Sequence, residues 1–425
     1  MSQQYQTLTN LLWERVKPHD DSAPPTFISQ GKRNQEEDPF PGKVATLYQL
    51  LSYQVESPPQ GSGLHFLAVD RRGGMDLRLG VICRERTIKA ESVEELSPGE
   101  HELDRIVMVT RSAADPGIIR SARAKSILIT SYEELLAGLA DFTPVVQKQI
   151  ADYDKSHLAQ LYISQAITFE GEGAVTAAEE GTQRFFSDPA QRFLTVLGDF
   201  GTGKTALTLK LARDVGLRYL EDPLKSPAPL RIDLKDVGKA LGLEDLLVNY
   251  LSNVGLNLSF QACLLLIDEG RMLLLFDGFD EMATASSAEI TRQNLRELTR
   301  TAQGYSKTLL TSRTHYFQDR RETEPLKGPP ASTSLSREIE RGGFQIAYLQ
   351  EFNDARIAAY IQKVAPQNSP AQLAALDAMV GLKDLARRPI FLEMVVESLP
   401  DLVKRRGAVT GASLYQEYTE RWLQR

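Results

Sequence analysis

The chain has 425 residues, of which 42% are apolar, 25% charged and 8% aromatic, and it carries a formal net charge of −7. That length exceeds one compact core and accommodates two or three, while the composition excludes wholesale disorder. A net negative molecule repels nucleic acid as a whole, and no run reaches the roughly 18 consecutive apolar residues of a membrane span, so composition indicates neither a polyanion nor a membrane as partner.

Met1-Ser2-Gln3-Gln4-Tyr5 opens the chain without a basic region followed by an apolar one, so it reads as cytoplasmic. Cys83 and Cys263 lie far apart with no CxxC or Cys/His cluster, which fits small buried hydrophobes better than a disulfide or a zinc site. A helix-like stretch at 8–16 precedes a polar, proline-containing segment at 19–42 that has no apolar period and reads as loop or disorder. Short apolar runs at 65–70, 77–83, 105–110 and 126–130, the last leading into a helix-like 132–139, predict an α/β unit. Residues 144–185 read as largely helical and acidic, interrupted at Gly171 and Gly173.

From residue 192 the predicted order is strand (192–197), glycine loop, helix (204–215), strand (230–234), two helices (243–254 and 261–268), strand (272–276), helix (287–302) and strand (308–311). Such alternation, with near-continuous apolar strands, predicts an α/β fold with a parallel sheet covered on both faces. Beyond about residue 345 the apolar spacing turns helical, as in Ile357, Tyr360, Ile361 and Val364, then Leu392, Val395 and Val396. The expected domains are therefore an N-terminal α/β domain at 1–145, a helical lead-in at 146–190, a P-loop NTPase domain at 191–340 and a small helical module at 341–425. No internal repeat of solenoid length is present.

Three motifs carry chemistry. Gly198-Asp199-Phe200-Gly201-Thr202-Gly203-Lys204-Thr205, continued by Ala206, has the pattern GxxxxGK[ST]. The glycines let backbone N–H groups turn in on a phosphate, and the following helix adds its positive end. Lys204 would reach the β- and γ-phosphates of ATP, and the Thr205 hydroxyl would complete a Mg2+ shell. The second motif is the apolar strand that ends in Asp277-Gly278-Phe279-Asp280-Glu281. Asp277 at the strand terminus suits a metal ligand, and either Asp280 or Glu281 suits the base that takes a proton from the attacking water. The third is Thr311-Ser312-Arg313, a strand end whose guanidinium would contact the γ-phosphate; the neighbouring His315, Asp319, Arg320 and Arg321 leave open an ordinary surface arginine. An ATP-driven nucleic-acid remodelling enzyme, or a nuclease-linked P-loop ATPase, uses the same three parts. Against it, the sequence has no long basic stripe and no aromatic-interleaved groove.

In their wording these elements resemble the NACHT family of STAND signal-transducing ATPases over roughly residues 155–425. The resemblance extends to Tyr348-Leu349-Gln350-Glu351-Phe352 and to Arg388-Pro389-Ile390. It implies that Pro389 packs on adenine, although a helix-initiating proline reads the same way. It further implies a slow ATPase acting as a switch, closed with ADP and open with ATP, that gathers into homo-oligomers on an unidentified protein trigger and acts on an unidentified target in signalling or antiviral defence. The family continues into a winged-helix domain and a repeat-rich sensor; this sequence ends at Arg425, and none of its residues is assigned to those parts.

The N-terminal unit is similar to the Mrr-like restriction-endonuclease fold, with Asp70 in the place of the first metal-binding acid. The next strand ends in Ile82-Cys83-Arg84, which lacks the second acid and the lysine, so no nuclease activity is expected. An unrelated α/β interaction domain is the alternative.

Overall fold

Aliphatic and β-branched runs bounded by glycine, proline or charge form strands at each of the eight places where the pattern predicts them. The computed structural model describes residues 39–72, 76–86, 88, 93, 96, 102–236, 242–284, 288–314, 343–379 and 381–402, with scattered positions beyond 413. The stretch at 8–16, most of 19–42, and the charged loop with His315, Asp319, Arg320 and Arg321 lie outside the described residues. Among the described residues no helix is long and apolar enough to cross a membrane. The chain divides into two units, Met1–Asp141 and Phe142–Arg425.

In the first unit the elements are α1 (Pro39–Leu50), β1 (Gln54–Glu56), β2 (Phe66–Asp70), β3 (Leu77–Arg84), β4 (Arg105–Thr110), α2 (Pro116–Ala124), β5 (Ile127–Ser131) and α3 (Tyr132–Ala137). They form one mixed sheet in the order β1-β2-β3-β4-β5, antiparallel up to β3 and parallel from there. The polar segment expected to run to Gly42 gives way to helix at Pro39, because Phe40, Val44 and Leu47 share one face and are fully buried. The register also separates Asp70 from Arg84. Asp70 pairs with Leu77 at the turn of the β2–β3 hairpin, whereas Arg84 lies at the far end of β3 opposite Thr110. Seven residues of strand span about 24 Å, so these two positions do not share a site. Asp70 instead accepts from the backbone N–H and the Nε of Arg72, both at 2.9 Å.

The second unit begins with α4 (Thr143–Lys155), α5 (Leu158–Leu161), β6 (Ala166–Phe169), β7 (Val175–Ala177) and α6 (Ala178–Ser187). Next come β8 (Phe193–Leu197), α7 (Lys204–Glu221), β9 (Ala228–Asp233), α8 (Leu243–Asn253), α9 (Phe260–Asp268) and β10 (Met272–Asp277). After α10 (Phe279–Thr284), α11 (Ala288–Thr299), β11 (Lys307–Ser312) and β12 (Phe344–Leu349) come α12 (Asp354–Val364), α13 (Ser369–Ala378), α14 (Leu382–Ala386) and α15 (Pro389–Leu402). The sheet runs β7-β6-β12-β8-β11-β10-β9; the five strands from β12 to β9 are parallel, and β6 and β7 join antiparallel.

Two expectations change here. The stretch at 146–190 is more than a helical lead-in, since it supplies β6 and β7 to the sheet, where Ile167 and Phe169 enter the core beside Leu194 and Ala347. The helical module begins after β12, a strand flanked by β6 and β8, rather than at 341. Residues of β8 and β10 are buried along their whole length, as parallel strands covered on both faces require. The α7 residues Leu207, Leu211 and Val215 pack on one side of them. A second core, around Ile357, Leu382, Leu392 and Val395, holds the closing helices together.

Candidate functional site

Parallel strands put all their carboxyl ends on one edge, and loops leaving that edge converge. The loop after β8 is the glycine run, the turn after β10 carries the acids, and β11 lies between those two strands and ends at Ser312. Arg313 therefore emerges between the glycine loop and the acidic turn. This strand order is the reason that motifs far apart in sequence meet.

Two glycines in the loop are fixed by geometry. Gly201 has φ +78°, and a Cβ there would lie 2.3 Å from Ile390 Cγ2; Gly203 has φ +97°, and a Cβ would lie 1.8 Å from Gln165 Nε2. No L side chain fits either place without displacing its neighbour. The loop is closed from behind by the Thr202 hydroxyl, which donates to the Asp199 carbonyl at 2.8 Å, and by Gln165 Nε2, which donates to the Thr202 carbonyl at 2.7 Å. Lys204 Nζ donates to the carbonyls of Gly198 (2.6 Å) and Asp199 (3.1 Å). Burial pushes the Lys204 ammonium below the ordinary lysine range, and the nearby Asp280 carboxylate partly opposes that shift.

The acids take distinct environments. Asp277 is 3% exposed; its Oδ1 accepts from the Thr311 hydroxyl at 2.6 Å and its Oδ2 from Arg231 Nη2 at 2.6 Å. Asp280, 4% exposed, receives the backbone N–H of Arg313 at 3.1 Å and the Arg313 Nε at 2.8 Å. Glu281 is exposed and faces the pocket. The Arg313 guanidinium also lies 5.3 Å from the centre of the Phe200 ring, and Phe200 meets Phe391 of α15 edge-on at 6.4 Å.

One cavity of about 300 Å³ collects these groups. Phe200, Gly201, Gly203, Lys204, Thr205 and Ala206 line it together with Asp277, Asp280, Glu281, Arg313 and Pro389. Gly198, Asp199 and Thr202 shape the loop from behind. Leu161, Ile163, Tyr360 and Ile390 add apolar wall, and His157, Gln165 and Glu393 add polar groups. Hard oxygen donors, the Thr205 hydroxyl and the carboxylates, suit Mg2+, which takes one or two protein ligands and completes its shell with water and phosphate. No cluster of three or more His, Cys, Asp or Glu able to hold a metal occurs among the described residues.

A family model for the NACHT domain matches residues 192–368. This part of the chain is a NACHT domain. It is thus a nucleotide-binding P-loop NTPase module, as the glycine loop and acidic strand predict. An uncharacterized WD repeat-containing protein of Nostoc sp. is 28% identical over 335 residues, which is 73% of this chain and 21% of that protein. A STAND protein with a tetratricopeptide repeat sensor from Pyrococcus horikoshii is 15% identical, covering 58% of this chain and 32% of its own, with a TM-score of 0.31. The ORC2 protein of Aeropyrum pernix is also 15% identical, covering 65% of this chain and 67% of its own, with a TM-score of 0.32. The chain thus spans about a fifth of the length of the curated relative it matches.

Two residues at the NACHT site escape motif reading. Gln165, 2% exposed, precedes β6 and holds the loop from outside the motif. Arg231 sits within β9, and the signal for it was a charged residue inside the apolar run at 228–234.

Proposed function

We propose that this NACHT-bearing chain is an ATP/ADP switch with slow hydrolysis, acting in cytoplasmic signalling or antiviral defence. The observation that carries this reading is the single cavity shared by the glycine loop, the three carboxylates, Arg313 and the first turn of α15. A site built from both the NTPase sheet and the closing helices can change the position of those helices with the state of its nucleotide. The Ile390 N–H stands 3.5 Å from the Gly201 carbonyl, so the phosphate loop and α15 touch directly.

In this reading backbone N–H groups of the loop and the first turn of α7 take the phosphates, and Lys204 adds its charge. Thr205 and Asp277 hold Mg2+, which when bound neutralises charge on the β- and γ-phosphates. Glu281 is the general base, because it is the acid left exposed to the pocket; Asp280 orients Arg313 toward the γ-phosphate. Pro389 and the apolar wall receive the base. The 1–141 unit serves as effector or adaptor without nuclease activity, and ATP-loaded chains gather into a homo-oligomer on a protein trigger. The test is to denature the purified chain and chromatograph the supernatant. Close to one ADP per chain is expected; a chain that releases no nucleotide and binds no added ADP contradicts the proposal.

A further inference from the structure

Arg231 is costly where it stands. Its strand neighbours Leu230 and Ile232 are buried, and its own side chain is 15% exposed, so the guanidinium has given up most of its water. It recovers that cost through three contacts at the nucleotide site. Nη2 donates to Asp277 Oδ2 at 2.6 Å, Nε donates to the Thr208 hydroxyl at 3.1 Å, and the Asp233 carboxylate lies 3.8 Å away. The Thr208 hydroxyl donates in turn to the Thr205 carbonyl at 3.0 Å. The backbone N–H of Arg231 donates to Gln149 Oε1 of α4 at 3.1 Å, which fixes the strand from its other side.

This network joins the two residues to which the preceding reading gives the metal, Thr205 and Asp277, through one permanently charged group. With Thr311 on Oδ1 and Arg231 on Oδ2, both oxygens of Asp277 are already engaged. We infer that Arg231 is a positioning residue that fixes the Asp277 carboxylate and sets how strongly the site takes a divalent cation. The inference rests on the nucleotide and magnesium reading of the pocket. A guanidinium within hydrogen-bond distance repels an incoming cation and competes for the same oxygen. Without it, Asp277 and Asp233, which are paired across β9 and β10, face each other without their shared counter-charge.

The test titrates Mg2+ into the full chain with a fluorescent ADP and reads the concentration at half-maximal nucleotide binding. In Arg231→Gln that concentration falls by about three- to tenfold, because the substitution removes a positive charge that repels the cation at the site. Arg231→Lys retains the charge and stays within about twofold of the wild type. Thermal unfolding supplies an independent readout: Mg2+ restores more stability to Arg231→Gln than it adds to the wild type. Should Arg231→Gln fail to fold, Thr208→Val removes one tether of the guanidinium and shifts the Mg2+ requirement in the same direction by less. Equal Mg2+ requirements in the variants and the wild type, or a stability loss identical in Mg2+ and in EDTA, overturn the inference. A wild type whose ADP binding ignores Mg2+ overturns the underlying reading as well, whereas a normal wild-type response with an unmoved Arg231→Gln removes the inference alone.

Discussion

At the residue scale, the pocket separates tasks that the motifs leave merged. Reading Asp277-Gly278-Phe279-Asp280-Glu281 identifies three acids, yet it cannot tell which of the last two is free to accept a proton, because that depends on Arg313 from another strand. Asp280 is spoken for and Glu281 is not. Glu281→Gln is therefore expected to lower single-turnover hydrolysis by about a hundredfold or more with little change in nucleotide affinity. Asp280→Asn and Arg313→Ala are expected to lower it by similar factors, and their double variant by no more than either alone, since they act as one unit. Independent, additive losses would show that Asp280 acts on its own. Lys204 supplies a pH test. Its free ammonium titrates below the ordinary value of 10.5 because it is buried, and bound phosphates raise it again. Between those two values binding takes up a proton, so nucleotide affinity falls as pH rises through the lowered pKa, a fall that Lys204→Arg does not show. Fluorescence titrations from about pH 7 to about pH 10 measure it.

At the scale of elements, strands with unbroken apolar runs were legible because a buried parallel strand needs nothing but apolar residues between its ends. The glycine loop was legible for a comparable local reason, positive φ at Gly201 and Gly203. What stayed hidden depends on partners. Val175–Ala177 is a short edge strand paired with Ala166–Phe169, which in turn pairs with β12, and nothing within three or four residues marks either as sheet. Gln165 and Arg231 act through contacts to loops far along the chain, so their own neighbours in sequence carry only a faint sign of them. The contact between the phosphate loop and α15 is likewise tertiary: Phe200 lies between Arg313 and Phe391, and Ile390 sits over Gly201. Phe200→Ala removes the aromatic link at a cost of about 1 kcal/mol, the scale of one half-buried aromatic contact. Hydrogen exchange in Pro389–Leu402 is expected to quicken in this variant and to lose its dependence on bound nucleotide. Exchange in α15 that matches the wild type in both nucleotide states would mean that Phe200 does not couple the two elements.

For the whole molecule, the sheet of the first unit keeps Asp70 at one end of its hairpin and Arg84 at the other. Purified chain with Mg2+ or Mn2+ is accordingly expected to leave plasmid DNA intact; cleavage abolished by Asp70→Ala would overturn this. The switch proposal also expects a monomer with ADP, and a stable ring under light scattering with ADP bound would count for a constitutive motor instead. The switch expectations depend on the cavity being a nucleotide site organised by Lys204. Titration of a fluorescent ATP analogue into the wild type, Lys204→Ala and Glu281→Gln tests that claim most directly. Loss of the charged contact should weaken binding by about 1.5–3 kcal/mol, tenfold or more, in Lys204→Ala, while Glu281→Gln binds as the wild type does. An affinity in Lys204→Ala equal to that of the wild type would contradict the account.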